Sequence, residues 1–414
     1  MKPIFALLPL VMAAILGASL NARGQVATDS QSFEQIERGR YLATIGDCVA
    51  CHTAPGGKPY AGGLPIDTPF GKLVSPNITP DRATGIGAWT DDQFVQALQQ
   101  GISPRGHLYP AMPYPAYTKV SRDDIIAIRA FLNTLQPVTN HLDLNQLRFP
   151  YNIRENMRAW NALHFTPGEF KPDPDKSAQW NRGAYLVEGL GHCGTCHTPK
   201  TPLGGDRNND FLQGATLQSW FAPDLTSSMR KGLGGWSLAD IVQYLKTGVN
   251  RHTVASGPMA EAITNSTSKL QDQDLMAIAT YLKDLPSDSA TALVPVAADD
   301  KRMVAGKAIY QDTCSACHQE TGEGAQHLFP ALAGNAVVQS ANPTTLIRVV
   351  LAGSQGVATA AAPTAPAMPS FAWRLSDEEI ASLLTYVRNS WGNAAAPVEA
   401  AEVTKLRQTL TTVP

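Results

Sequence analysis

Residues 182–197 read RGAYLVEGLGHCGTCH: Gly183, Tyr185 and Leu186 in a helical pattern, closing on Cys193, Cys196 and His197. The same layout recurs on either side. Arg38-Gly39-Arg40-Tyr41-Leu42 precedes Cys48, Cys51 and His52, and the looser Gly306-Lys307-Ala308-Ile309-Tyr310 precedes Cys314, Cys317 and His318. All six cysteines of the 414-residue chain fall in these three copies. At this composition chance supplies roughly 0.002 copies of C-x-x-C-H.

The spacing has a chemical reason. Two thiols three apart on one helical turn can each form a thioether to a porphyrin vinyl group. The adjacent histidine then lies under the ring with its imidazole toward the iron, which is the attachment pattern of c-type haem. A structural zinc site needs paired motifs supplying four ligands, and three isolated triads do not pair. A thioredoxin-like dithiol needs no histidine after the second cysteine and expects a βαβ pattern, which is missing. Three covalent haem c groups are therefore expected, held by Cys48 and Cys51, Cys193 and Cys196, and Cys314 and Cys317, with His52, His197 and His318 on the irons. No cysteine remains for a disulfide.

Outward from the triads the chain keeps repeating. Pro76-Asn77-Ile78-Thr79 parallels Pro223-Asp224-Leu225-Thr226, with Pro330-Ala331-Leu332 as the third version. Trp89 and Trp236 each precede a short amphipathic helix that stops twelve residues later, at Gly101 and Gly248. The third copy has such a helix around Leu346 to Val350, stopped by Gly353, without the tryptophan. Each repeat ends in a longer helix: Ser121 to Leu135, Gln271 to Leu285 and Ser376 to Trp391. Ser121 and Ser376 read as N-caps, with Asp124 and Glu379 in a near capping-box position. Phe131, Tyr281 and Tyr386 share one register in these helices and are expected to face the Gly/Tyr side of each leading helix. No stretch alternates in the manner of a strand.

Each repeat also offers a methionine in a loop of prolines and small residues between its second and last helices: Met112, Met259 and Met368, lying 60, 62 and 50 residues after the triad histidine. A lone methionine is usually core filler. Three at matching positions read as the sixth iron ligands, which close the iron and raise its potential. Met229, Met303, His192 and His252 are the competing donors.

Composition sets the frame. Apolar residues are 43%, enough for several cores, and charged residues only 16%. The balance of 33 basic against 35 acidic side chains excludes a polybasic nucleic-acid binder. Lys2, the apolar run Phe5 to Leu20 and the small-residue site at Ala22-Arg23-Gly24 read as a secretory signal peptide, residues 1–24, too short an apolar run to span a bilayer. Without Lys2 and Arg23 the chain has 31 basic and 35 acidic side chains. The expected organisation is a first haem unit at 31–136, a connector at 137–176 with a possible helix near Arg154 to Leu163, a second unit at 177–285, a linker at 286–300, a third unit at 301–392 and a tail at 393–414. In the tail, Val398, Val403, Leu406 and Leu410 form a sparse stripe for docking on a membrane or on the protein itself.

These motifs, in this order, resemble one family: the triheme cytochrome c subunits of bacterial membrane-bound dehydrogenases. The likeness spans about residues 34 to 410 and rests on all three repeats. It implies an all-α fold of three tandem class I cytochrome c-like domains, each wrapped around one covalent haem. In class I cytochromes c a proline carbonyl after the triad orients the histidine, which here implies Pro76, Pro223 and Pro330; Trp89 and Trp236 become candidates for reaching a haem propionate. The resemblance further implies a catalytic dehydrogenase partner of quinoprotein, flavoprotein or molybdenum type, and leaves open a small third subunit. Electrons would leave the partner's PQQ, flavin or molybdenum centre for ubiquinone or another acceptor, on the periplasmic side of the cytoplasmic membrane, with peripheral attachment. The competing readings are a free-standing periplasmic multihaem carrier and a c-type haem peroxidase, the latter requiring an iron without its methionine.

Overall fold

The structure, a computed structural model, describes residues 32–217, 219–287 and 293–411; the expected signal peptide lies outside them. Each repeat is built on a crossed pair of helices: Phe33–Ile45 with Arg122–Leu132, Ala178–Tyr185 with Asp272–Asp284, and Lys301–Thr313 with Asp377–Val387. A glycine at each crossing lets the backbones meet. A Cβ on Gly39 would lie 1.7 Å from the carbonyl oxygen of Ala127, one on Gly183 2.0 Å from that of Ala277, and one on Gly306 2.1 Å from that of Ser382. Tyr281 and Tyr386 flank the second and third of these glycines. Their rings pack on Trp180 and Tyr310, while Phe131 lies edge-on to Tyr60.

Between each pair lies a third helix: Asp91–Gln100, Leu238–Thr247 and Thr344–Ala352. Thr90 and Ser237 close capping boxes at the first two. All three stop at a glycine in the left-handed region, with φ of 64° at Gly101, 77° at Gly248 and 74° at Gly353, a conformation that glycine adopts without Cβ strain.

The units are mainly helical but not wholly so. Nine strands of two to four residues occur among the described residues. Pro65–Thr68, Gly71–Val74 and Asn145–Leu147 form a three-stranded antiparallel sheet, with Lys72 facing Asp67 on one side and Gln146 on the other. Strands this short carry no alternation for a sequence to reveal. The connector carries the helix expected near Arg154 to Leu163 and, beyond that expectation, a strand. Its strand completes that sheet, and its helix Met157–His164 sets Trp160 edge-on to Tyr114, whose hydroxyl donates to Asn161 at 2.6 Å.

The first two repeats share one continuous apolar core, running from Leu42 and Ile128 to Leu186 and Leu275. The third has its own, around Tyr310, Ile347 and Leu384. The tail helix Ala400–Thr411 joins that third core through buried Val403 and Leu406, with Val398 just before it. Arg407 secures it, pairing with Asp377 at 2.8 Å and donating to the carbonyls of Ala372 and Leu375. The tail stripe thus docks on the protein. No helix among the described residues is long and apolar enough to cross a membrane.

The seam between the first two repeats is reciprocal. Tyr185, on the second leading helix, donates to Asp124 of the first closing helix at 2.5 Å and accepts the N–H of Ser121 at 3.2 Å. Tyr41, on the first leading helix, donates to Asp274 of the second closing helix at 2.7 Å and accepts the N–H of Gln271 at 3.1 Å. Within each repeat an arginine completes the cluster: Arg38 with Asp124 at 2.6 Å, Arg182 with Asp274 at 2.8 Å. In a capping box the N3 carboxylate reaches back to the N-cap N–H; here a tyrosine from the neighbouring repeat stands between the two. The near capping box expected at Ser121 is corrected accordingly. Ser121 still accepts from the Asp124 N–H, but the Asp124 carboxylate is held by Tyr185 and Arg38. Ser376 and Glu379 do close their own box.

Candidate functional site

Each triad sits on or against a single helical turn, at Cys48–Cys51, Gly194–His197 and Ser315–His318. From that turn the histidine ring meets a proline carbonyl. His52 Nδ1 lies 2.7 Å from Pro76 O, His197 Nδ1 2.7 Å from Pro223 O, and His318 Nδ1 3.0 Å from Pro330 O. A carbonyl can only accept, so Nδ1 carries the proton and donates, and Nε2 keeps its lone pair for a metal. Burial lowers the proton affinity of all three rings, which favours the neutral, ligating imidazole.

The proline carbonyls are themselves placed. Asn77 Oδ1 accepts the Thr79 N–H at 2.9 Å, and Asp224 Oδ1 accepts the Thr226 N–H at 2.7 Å, folding each Pro-Asx-x-Thr stretch into a tight turn. The third repeat has Pro330-Ala331-Leu332 and no such side chain. The six thiols are unpaired.

A cavity of about 480 Å³ is lined by Cys193, Cys196, His197 and Met259, and it continues without a wall into the third repeat, where Cys314, Cys317, His318 and Met368 line it. Leu225, Tyr244 and Leu282 give it an apolar surface in the second repeat, and Leu332, Val350 and Leu384 in the third. The donor set fits the group the sequence implies: an apolar slot for a flat macrocycle, two thiols at its edge, one imidazole nitrogen with a free lone pair and one thioether sulfur. In the first repeat His52 is buried, and Met112, like Cys48, Tyr60, Ile78 and Trp89, is partly buried against the shared core.

The methionines differ in local setting. Met112 lies in a loop, its N–H donating to Tyr109 O at 3.0 Å. Met259 is not in a loop; it is the second residue of the helix Pro258–Asn265, which starts after Gly257 at φ 57°. Met368 ends the strand Ala367–Met368, paired to Ser354–Gln355. Among the competing donors, Met229 is 76% exposed and Met303 is buried in the third leading helix. His192 and His252 both line the cavity. His192 Nε2 lies 3.3 Å from Gly46 O, and His252 stacks on Trp236 at 5.0 Å and 7°. Trp236 lines the cavity too, while the Trp89 carbonyl accepts from the Arg129 guanidinium.

Two features escaped the sequence reading. The Tyr–Asp exchange joins residues more than sixty and more than two hundred positions apart, beyond the reach of any local pattern. Asp47, just before the first triad, is left-handed at φ 49° and lines the cavity at the seam. Burial, reinforced by Glu261 and opposed by Lys269, pushes its carboxyl up to about 8.

A sequence model of the cytochrome c family matches residues 36–136, 181–286 and 303–391. The chain is 40% identical to the gluconate 2-dehydrogenase cytochrome c subunit of Pantoea cypripedii, over 96% of this chain and 95% of that protein. It is 39% identical to the cytochrome c subunit of the quinone alcohol dehydrogenase of Gluconobacter oxydans, over 96% and 87%. It is 36% identical to the fructose dehydrogenase cytochrome subunit of Gluconobacter japonicus, over 98% and 90%.

Proposed function

The chain belongs to the cytochrome c family, and from that premise we propose that it is the triheme electron-transfer subunit of a dehydrogenase complex, carrying electrons from a catalytic subunit to ubiquinone or another respiratory acceptor. The observation that carries this reading is one site repeated three times: a Cys-Cys-His triad on a helical turn, with its histidine held through Nδ1 by a proline carbonyl. The three relatives are named for different substrates, gluconate, an alcohol and fructose. What such chains share is therefore the handling of electrons, and substrate chemistry belongs to the partner.

In this assignment Cys48 and Cys51, Cys193 and Cys196, and Cys314 and Cys317 hold the haems. His52 with Met112, His197 with Met259, and His318 with Met368 are the axial pairs, and Pro76, Pro223 and Pro330 fix the histidine rings. Bound haem c supplies a one-electron iron couple whose potential a methionine thioether raises. The chain's part is to orient each imidazole, exclude water with apolar walls and deny the iron an open position. The partner is a quinoprotein, flavoprotein or molybdenum subunit, with a small third subunit compatible with the same arrangement. Residues 1–24 direct export, and the complex works on the periplasmic side of the cytoplasmic membrane, attached peripherally.

Pyridine haemochrome analysis of the purified chain is expected to give three haems that stay bound in denaturant; one or two would overturn the assignment. The partner dehydrogenase without this chain is expected to reduce artificial dyes and to lose quinone reduction. Purification of the chain with no dehydrogenase attached would replace this reading with a free-standing carrier. Oxidation of an alcohol, aldehyde or sugar by the chain alone at enzymatic rates would refute it.

A further inference from the structure

The segment that returns to the first repeat carries an exposed apolar tip. The Tyr151 N–H donates to Arg148 O at 2.7 Å, and this turn puts Phe149 at its apex, 80% exposed. Tyr151 lies with its ring 4.7 Å from Phe70. On the side of Phe70 toward the second repeat runs the Leu203–Gly204 loop; a Cβ on Gly204 would be 3.7 Å from the Phe70 ring. Leu203 is itself exposed, its carbonyl held by the Trp160 indole at 2.9 Å, and Leu163, one turn after Trp160, is 70% exposed. Phe149, Tyr151, Leu163 and Leu203 are thus exposed on three separate segments that meet around Phe70 and Trp160. A single exposed apolar residue needs no explanation, but a convergence of this kind marks an interaction surface.

Its charge identifies the partner. Between residues 148 and 158, Arg148, Arg154 and Arg158 stand against Glu155 alone. The neighbouring charges cancel, Lys72 with Asp67 and Arg207 with Asp210. A chain of formal net charge −2 therefore carries a local positive excess around its exposed rings. Aromatic rings bordered by arginines suit the headgroup level of an anionic bilayer, where rings bury partway and guanidinium groups meet phosphates. The patch also backs onto the first haem site. Phe70 and Met157 pack on the Leu73, Tyr109 and Leu147 cluster, and Tyr109 opens the loop that holds Met112.

We propose that the surface formed by Phe149, Tyr151, Leu163 and Leu203, with Arg148 and Arg158, rests on an anionic lipid membrane and presents the Met112 side of the first repeat to a lipid-dissolved quinone. The quinone half of this statement rests on the electron-transfer reading above; the lipid half does not. The test is sedimentation of the full-length holoprotein with vesicles of phosphatidylcholine alone or with added phosphatidylglycerol. Binding is expected on the anionic vesicles and weaker binding on the neutral ones. The double variant Phe149→Ser with Tyr151→Ser should bind at least tenfold more weakly, with haem content and melting temperature unchanged. Arg148→Gln with Arg158→Gln should flatten the salt dependence of binding. Wild-type protein that fails to sediment with anionic vesicles, or a Phe149/Tyr151 variant that sediments like wild type, would overturn the proposal. So would a variant that keeps vesicle binding and loses the catalytic dehydrogenase, which would make the patch a protein contact. Vesicle binding by a chain that accepts no electrons from any dehydrogenase would uphold the surface and refute the functional reading instead.

Discussion

Replacing Tyr41 and Tyr185 with phenylalanine removes the bridge between the first two repeats while leaving both ring volumes in place. Each hydroxyl makes two hydrogen bonds, one to a carboxylate and one from a helix N-cap N–H. A hydrogen bond to a charged group contributes about 1.5–3 kcal/mol. Both tyrosines are half-buried, so water competes and the lower part of that range applies. Each single variant should lose about 1.5–2 kcal/mol and the double variant about 3–4 kcal/mol. In a cooperative unit of this size 1 kcal/mol moves the midpoint by roughly 2–4 °C, so the pair should lower it by roughly 6–16 °C. Calorimetry of the holoprotein reads this directly, with the third repeat, which has its own core, as internal standard. A double variant that shifts the first transition by less than about 2 °C, or that shifts the third repeat equally, would refute the bridge. The pH arm has a definite sign. Burial, aided by Asp274, pushes the Tyr41 hydroxyl up to about 12, so the folded chain keeps a proton that the unfolded chain releases near pH 10. This stabilisation is present below about pH 10 and is lost as pH rises toward 12, and Y41F should flatten that slope.

Three further outcomes are expected. Gly183→Ala and Gly306→Ala drive a methyl to within 2.0 and 2.1 Å of the facing carbonyls, so each should destabilise its unit by about 3 kcal/mol or more; urea unfolding should show the Gly306 effect confined to the third repeat. Met112→Ala, Met259→Ala or Met368→Ala should each open one iron to carbon monoxide and lower one potential in a redox titration, and unchanged values at any position would remove that methionine from the assignment. Asp47→Asn keeps a residue tolerant of the left-handed backbone and removes the buried carboxylate. Because the Asp47 carboxyl is raised to about 8 in the fold and titrates near 4 when unfolded, wild-type stability should fall as pH rises from about 4 to 8. The variant's urea midpoint should stay flatter across that range and exceed the wild type at pH 8.

The triads, the crossing helices and the stop glycines were legible because each is local: a spacing of three, an apolar period, a residue that alone tolerates positive φ. Asp124 shows where legibility ends. Three residues after Ser121 it reads as half of a capping box, yet its carboxylate answers to Tyr185, sixty-one positions away. Met259 shows the same limit on a smaller scale. Its proline-flanked setting suggested a loop, and Pro258 instead starts a helix, since proline is as well suited to the first helical turn as to a loop. In the connector the helix was legible and the strand was not. Asn145–Leu147 is three residues of strand, too few to show a period, and only its pairing with Leu73, Lys72 and Gly71 reveals that the chain turns back.

The exchange of tyrosines also bears on how such a chain can change by descent. A repeat that caps its own closing helix can be duplicated, moved or discarded alone, and the third is of that kind: Ser376 and Glu379 close their own box, and Ala305 and Ala308 stand where the other repeats have arginine and tyrosine. The first and second have each given the other a tyrosine that completes a helix end. Without Tyr185 the second repeat loses its hydrogen bond to Asp124, and without Tyr41 the first loses its hydrogen bond to Asp274. Substitutions at these four positions are therefore expected to be coupled across the first two repeats, a constraint the third repeat does not share.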